Sequence, residues 1–310
     1  MTLAVKRRAG QIRRKRIRKH WQLYLLFLVP LASALIFSYG PMYGIVIAFK
    51  NYVVSDSIWG SQWVGLKHFR EFMGSYNFPR LMKNTVGISL YGLLAGFPVP
   101  IIFALLINEC PNVRFKKTVQ MITYAPHFIS TVVMVSLIVM FLNPRSGMLA
   151  KALTSLTGQR IDYMSAPRYF KTIYVWSGIW QSMGFSAVIY IAALAGVDAS
   201  LHEAAVVDGA SKLRKIWHVD LPSIMPTIVI LFILSFGSVM SVGYEKIFLM
   251  QNQLNMSTSD VISTFVYRMG LQQAQYSFSA AVGLFNSVIN AALLVIVNQI
   301  ARRVGETSLW

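Results

Sequence analysis

The sequence predicts an all-α polytopic membrane protein with six transmembrane helices and both termini on the cytoplasmic side. Three observations carry that prediction. The 310 residues are 55% hydrophobic and 13% charged, with a mean hydropathy of +0.53, whereas a soluble domain carries about 25% charged residues. Six apolar stretches each reach the roughly 20 residues that a helix needs to cross a bilayer. The basic residues are unevenly distributed: 17 of the 29 Lys and Arg fall on one side of a six-span arrangement, nine of them within the first 20 residues, against 12 on the other side. Positive charge is retained in the cytoplasm, so the arrangement reads N-in and C-in.

The elements follow in order. A basic arm over residues 1–21, with Lys6, Arg7, Arg8, Arg13, Arg14, Lys15, Arg16, Arg18 and Lys19, abuts the first apolar stretch, 22–49. Anionic headgroups attract such an arm. That stretch exceeds the roughly 7–15 residues of a signal-peptide core, so it is expected to stay as an anchor, with Trp21 and Tyr24 at its edge. Trp59 and Trp63 in the following loop read as interfacial anchors. The other spans are expected near 84–107, 118–142, 172–197, 224–249 and 278–301, with a tail over 302–310. The whole of 22–301 forms one membrane domain. Gly92, Ala95 and Gly96 permit close helix approach. Pro30, Pro41, Pro98, Pro100, Pro126, Pro222 and Pro226 interrupt the spans; proline is tolerated there because neighbours satisfy the freed carbonyls. Their kinks either open a central cavity or serve packing.

Several chemistries are absent from the sequence. One cysteine, Cys110, excludes an internal disulfide. No glycine-rich phosphate loop ending in Lys-Ser or Lys-Thr and no His-Glu-x-x-His is present, so neither ATP-driven work by that route nor zinc proteolysis belongs to this chain. The five histidines are scattered; His127, inside the third span, reads as a hydrogen-bonded structural residue. Carriers coupled to ions keep ionisable groups at membrane depth, and the span cores hold almost none. Glu245 and Lys246 sit near the expected outer end of the fifth span. There they either pair with other groups or snorkel. The basic charge lies beside a span, so no nucleic-acid partner is expected.

The loop over 198–222 is the most informative polar segment. Ser200-Leu201-His202-Glu203 fits a capping box, Ala204 and Ala205 are small, and Gly209 suits the left-handed position that ends a helix. A second short helix places Leu213, Ile216 and Trp217 on one face, and Pro222 is expected to stop the unit. Physically the loop is either an amphipathic connection lying on the membrane or a protrusion that enters a groove on a soluble partner.

These residues resemble the EAA motif of ATP-binding-cassette importer permeases: Glu203-Ala204-Ala205, then Gly209, then Val219-Asp220-Leu221-Pro222, with Val219 where isoleucine is commoner. The stretch 63–69 resembles the first outer-loop signature of carbohydrate permeases. The stretches 243–246, 260–268 and 283–290 and the terminal Ser308-Leu309-Trp310 are similar to the polysaccharide/aldouronate (LplB-like) branch of the binding-protein-dependent (MetI-like) permeases. The resemblance implies the type I importer fold in a bacterial cell membrane, a second homologous permease, two ATPase subunits and an extracellular or periplasmic solute-binding protein. ATP and Mg are then bound by the partner ATPase, with no cofactor in this chain. The resemblance also implies that the loop is a coupling helix, with Glu203, Ala204, Ala205, Asp208, Gly209, Leu213, Ile216, Trp217, Leu221 and Pro222 as its working residues.

For an oligosaccharide, aromatic platforms and neutral hydrogen-bonding groups form a suitable path. Trp180, Gln181, Tyr190, Tyr244, Asn286 and Asn290 are such groups in the later spans. Asn286 and Asn290 share one helix face and serve either substrate or interhelical hydrogen bonds. Two other classes compete. A secondary carrier or channel for a neutral polar solute would work without an ATPase, and a membrane-embedded enzyme or signalling scaffold would need a reactive constellation that the sequence lacks.

Overall fold

The structure is a computed structural model that describes residues 19–304 and 308–309. The arm residues 6–18 and the terminal Trp310 lie outside the described residues. The chain divides into two compact units, Met1–Leu66 and Lys67–Trp310.

In the first unit, helix α1 (Trp21–Ser33) continues through a π segment (Ala34–Tyr39) and a 3-10 segment (Gly40–Phe49). Together they make a 29-residue apolar stretch, Trp21–Phe49, whose side chains are exposed almost throughout. The amide of Gly40 bonds the Leu35 carbonyl five residues back, a widened turn just before Pro41, which has no N–H to give. A short antiparallel pair follows, β1 (Lys50–Asn51) and β2 (Gln62–Trp63), with Lys50 opposite Trp63. Trp63 stacks on Phe49 with ring centroids 5.7 Å apart, and Trp59 meets Tyr43 edge-on at 5.5 Å. Both indoles remain exposed, as interfacial anchors require.

The second unit is helical throughout its ordered elements. After α2 (Lys67–Met73), α3 (Phe78–Gly96) and α4 (Pro98–Asn108) run as one 31-residue apolar span. The third span is not straight. Helix α5 (Val113–Tyr124) passes through a 3-10 turn (Ala125–Phe128) into α6 (Thr131–Phe141), and the two parts are bent by 101°. Pro126 denies the ladder an amide, and Ser130 starts the new helix by accepting the Val133 amide at 3.4 Å. The carbonyl freed at Ile129 accepts from Gln181 Nε2 at 2.9 Å. His127 differs from its expected hydrogen-bonded role: its ring lies parallel on Phe185, centroids 4.0 Å apart.

Helix α7 (Met148–Thr157) precedes the long α8 (Pro167–Ala195). Along α8 packs α4, where Ala104, Leu105, Ala187, Tyr190, Leu194 and Ile224 form a buried cluster. Gly184 lets the α5 backbone at Thr123 come so close that a Cβ at that position would collide with it. Helices α9 (Ala199–Val207) and α10 (Lys212–Lys215) form the polar loop, and a π segment (Ile216–Asp220) leads into α11 (Leu221–Gly237). The expected fifth span therefore ends early, at Gly237, and residues up to 249 belong to a separate helix, α12 (Tyr244–Met250). Gly237 and Gly243 bracket a non-helical turn. Short helices α13 (Met256–Ser259) and α14 (Ile262–Tyr267) and a π segment (Arg268–Gln272) lead to the last span, α15 (Tyr276–Val304), which packs on α11. Among the described residues, five helices are long and apolar enough to cross a membrane, or six if the bent pair counts as one span.

Candidate functional site

The loop between α8 and α11 is built by local chemistry. Asp198, not Ser200, caps α9: its carboxylate accepts the Ser200 amide at 2.9 Å. A charged acceptor at the positive end of a helix outcompetes a hydroxyl two residues later, so the expected capping box does not form. That bond from the Ser200 backbone, with a second from its side chain, holds the Asp198 carboxyl below the usual carboxylate range. At the other end Gly209 has φ +69°. The amide of Gly209 reaches the Val206 carbonyl at 3.0 Å and that of Ala210 reaches Ala205 at 2.9 Å, the two bonds of a Schellman ending.

Ser211 caps α10 by accepting the Arg214 amide at 3.4 Å. Pro222 does not stop this unit. The Leu221 amide bonds Ile216 five residues back, and this π turn absorbs the missing donor and the ring of the proline. The helix is therefore continuous from Lys212 to Gly237.

The surface of this loop is apolar where soluble proteins are polar. Val206, Val207, Leu213 and Trp217 are 68%, 87%, 70% and 65% exposed, beside exposed Glu203, Ala204, Asp208 and Gly209. Of the expected stripe, Leu213 and Trp217 face outward, while Ile216 and Leu221 pack on the α4–α8–α11 cluster. An ion pair and a carboxylate–imidazole approach tie the loop to its base. Lys215 Nζ lies 2.8 Å from Glu109 Oε1 at the end of α4, and His202 Nε2 lies 3.6 Å from Asp220 Oδ1 in the π segment. Asp220 is fully buried, and neither of its carboxylate oxygens has a hydrogen-bond partner among the described residues.

A cavity of about 750 Å³ lies between α3, α4, α8, α11 and α12. Gly92, Gly96 and Gly178 open it by contributing no side chain. Gln181, Ser182, Tyr190, Leu231, Ser235 and Lys246 also line it. An adjoining cavity of about 210 Å³ shares Gly92, Tyr174 and Ser235 and adds Ser89, Ser238 and Ser241. The six residues expected along a solute path are not all gathered here. Gln181 and Tyr190 line the larger cavity. Trp180 lines a separate apolar recess of about 400 Å³ with Trp176. Tyr244 joins a ring cluster with Phe248 and Tyr267. Asn290 accepts the Met240 amide at 2.8 Å and donates to Ser241 Oγ at 2.8 Å, which braces the turn after α11. Asn286 keeps a buried Oδ1 with no hydrogen-bond partner among the described residues. Lys246 escaped the sequence reading as a cavity residue; its signal was a lysine following the Gly243 break with an aromatic neighbour, Tyr244.

Residues 96–306 match the family described as the binding-protein-dependent transport system inner membrane component. Protein LplB of Bacillus subtilis (strain 168) is 41% identical over 293 residues, covering 94% of this chain and 92% of that protein. The chain belongs to this family. It is thus a multi-pass membrane permease component, and the cavity and the polar loop both fall almost wholly within the matched segment.

A second B. subtilis relative of this permease, the polygalacturonan/rhamnogalacturonan transport system permease protein YteP, is 40% identical over 93% of this chain and 90% of its own. Among solved structures, a chain of a bacterial alginate ABC transporter in complex with alginate pentasaccharide-bound periplasmic protein is similar to it. The TM-score is 0.86 at 38% identity, over 95% of this chain and 99% of that one.

Proposed function

We propose that this permease is one half of a heterodimeric, ATP-driven importer of oligosaccharides or polysaccharide fragments. Two ATPase subunits, which bind ATP and Mg, serve the complex from the cytoplasm, and one of them docks on the 198–222 loop. A solute-binding protein delivers cargo from outside, and the N- and C-termini face the cytoplasm. The observation that carries this reading is the loop's exposed apolar surface on a rigid, doubly capped frame bearing Glu203-Ala204-Ala205, Gly209 and Leu221-Pro222. Val206, Val207, Leu213 and Trp217 offer an unpartnered patch of the kind that fills a groove, and Glu203 is available to a basic partner.

Transmission follows from continuity. The helix that begins in the loop at Lys212 carries Leu231 and Ser235 into the cavity wall, a rod of about 35 Å at 1.5 Å per residue. Movement of docked ATPases displaces that rod, and the cavity opens alternately to the two sides. The two states need differ in partner affinity by only about 5 kcal/mol for a nearly complete switch. Gln181 and Tyr190 sit where cargo passes, and the relatives and structural neighbours that handle polygalacturonan, rhamnogalacturonan and alginate support a saccharide cargo.

Reconstitution tests the reading. The chain is assembled with its companion permease, ATPases and binding protein in vesicles, and saccharide uptake is followed. Uptake that requires both ATP and cargo-loaded binding protein is expected. Uptake by this chain without an ATPase would instead make it a secondary carrier or channel.

A further inference from the structure

The first helix of the polar loop is held to its root by very little. No residue of α9 is buried, and only His202 and Ala205 are even half-buried. Ala205 offers a methyl group. His202 offers an imidazole whose Nε2 lies 3.6 Å from Oδ1 of Asp220, the residue that ends the π turn at the head of α11. That distance suits two charges but is beyond hydrogen-bond reach. Neither protonation state of the imidazole satisfies the pair. When it is neutral, Asp220 keeps a carboxylate with no exposed surface and no hydrogen bond to either oxygen among the described residues, a costly way to hold a charge. When it is charged, the two groups attract, but a proton then stands on Nδ1, which is buried and has no partner among the described residues. The other charges facing Asp220 are Glu109 at the end of α4 and Lys215 of α10, and these two hold each other at 2.8 Å. His218, on the same π turn, is exposed, with its Nδ1 2.9 Å from the Arg214 carbonyl oxygen. Among the described residues, His202 is thus the group left to balance the buried carboxylate.

We infer that His202 and Asp220 are positioning residues for energy coupling: the protonated imidazole ties α9 to the head of the helix Lys212–Gly237, and loss of its proton slackens the tie. Imidazole changes charge between about pH 5 and 8, so the tie answers to the pH on the ATPase side. With His202 charged, an ATPase that grips α9 moves the rod directly. With His202 neutral, part of the same movement is spent in bending the root of the loop. Transport per ATP is therefore highest on the acid side of the imidazole titration and falls above it. This inference rests on the importer reading above and adds to it what joins the gripped helix to the rod.

The test uses the complete transporter in proteoliposomes, with the pH on the ATP side set between about 5.5 and 8. Uptake of labelled trigalacturonate and ATP hydrolysis are measured together. In the same complex, carrying Cys110→Ser, spin labels on Ala199→Cys and Ser223→Cys report the spacing between α9 and the head of the rod. The native complex is expected to lose about fivefold in transport per ATP from the acid to the alkaline end, the lower range of a coupling between two sites, while the label spacing broadens. His202→Gln makes both profiles flat at the alkaline value, and His202→Arg, whose charge is permanent, holds both at the acid value. Asp220→Asn keeps the shape of the side chain, is expected to behave as His202→Gln does, and is read in its place where that variant does not assemble. A flat native ratio, a native profile that survives in the assembled variants, or a label spacing that does not respond to pH overturns the inference and leaves the importer reading intact. Absence of ATP-dependent uptake at every pH contradicts the importer reading instead and removes the coupling role with it, whatever the label spacing shows.

Discussion

Asp260 and Asp220 each have no exposed surface, but the chain surrounds them differently. Asp260, after α13, receives Arg80 from α3 at 3.0 Å and Arg268 from beyond α14 at 2.9 Å, while Asn84 donates to its carbonyl at 3.0 Å. Asp220, at the root of the polar loop, faces one imidazole at 3.6 Å, and its oxygens make no hydrogen bond among the described residues. A buried carboxylate clamped by two guanidiniums fixes three segments in one arrangement. A buried carboxylate held by a single distant partner does not, and it lies in a π turn, a geometry associated with functional sites. The contrast separates a fixed clamp from a loop root whose carboxylate is left poorly satisfied, as the coupling role proposed for the loop requires.

Substitutions test this contrast, in order of expected effect. Asp260→Ala strands two arginines and should cost about 3–5 kcal/mol, as removing one partner from a buried pair does. The complex should lose its thermal transition in detergent or fail to accumulate, and a native midpoint would deny the clamp. Glu109→Gln leaves Lys215 without its charge partner and should cost about 1 kcal/mol, a modest figure because both side chains keep some exposure. Weaker retention of the ATPase subunits at raised salt is the readout, since the pair orients α10. Asp220→Asn should change stability least, by less than about 1 kcal/mol as read from the thermal transition, because it removes a poorly satisfied charge at nearly unchanged shape. A loss as large as that of Asp260→Ala would erase the distinction between the two sites.

The sequence foretold these regions unequally. The first, second, fourth and sixth spans were readable because hydrophobic length is a property of consecutive residues. Gly209 was readable for the same reason, since a helix ending needs only local residues. Asp198 was missed as the cap because Ser200 with Glu203 offers an equally regular local pattern, and only the fold shows which carboxylate or hydroxyl meets the first free amide. Pro222 was misread as a terminator; a π turn that lets a helix pass a proline leaves no trace in composition. The bend at Ile129 depends on Gln181, 52 residues away, and the cavity is assembled from residues between 92 and 246. No window along the chain contains those pairings. Lys246 illustrates the limit: beside Glu245 it reads as a charge that pairs or snorkels, and only the placement of α12 against Gly178 turns it toward the cavity.

The account's central claim is that energy enters at the 198–222 loop and travels along the helix that starts there. Gly209→Val tests it most directly, because φ +69° is hostile to a β-branched residue and costs about 1–3 kcal/mol at that position, away from the cavity and the Asp260 clamp. Uptake and ATP hydrolysis are measured together in vesicles holding the complete transporter, with assembly checked by co-purification. The predicted result is a complex that assembles and hydrolyses ATP but moves far less saccharide per ATP. Transport per ATP equal to that of the native complex would contradict the account.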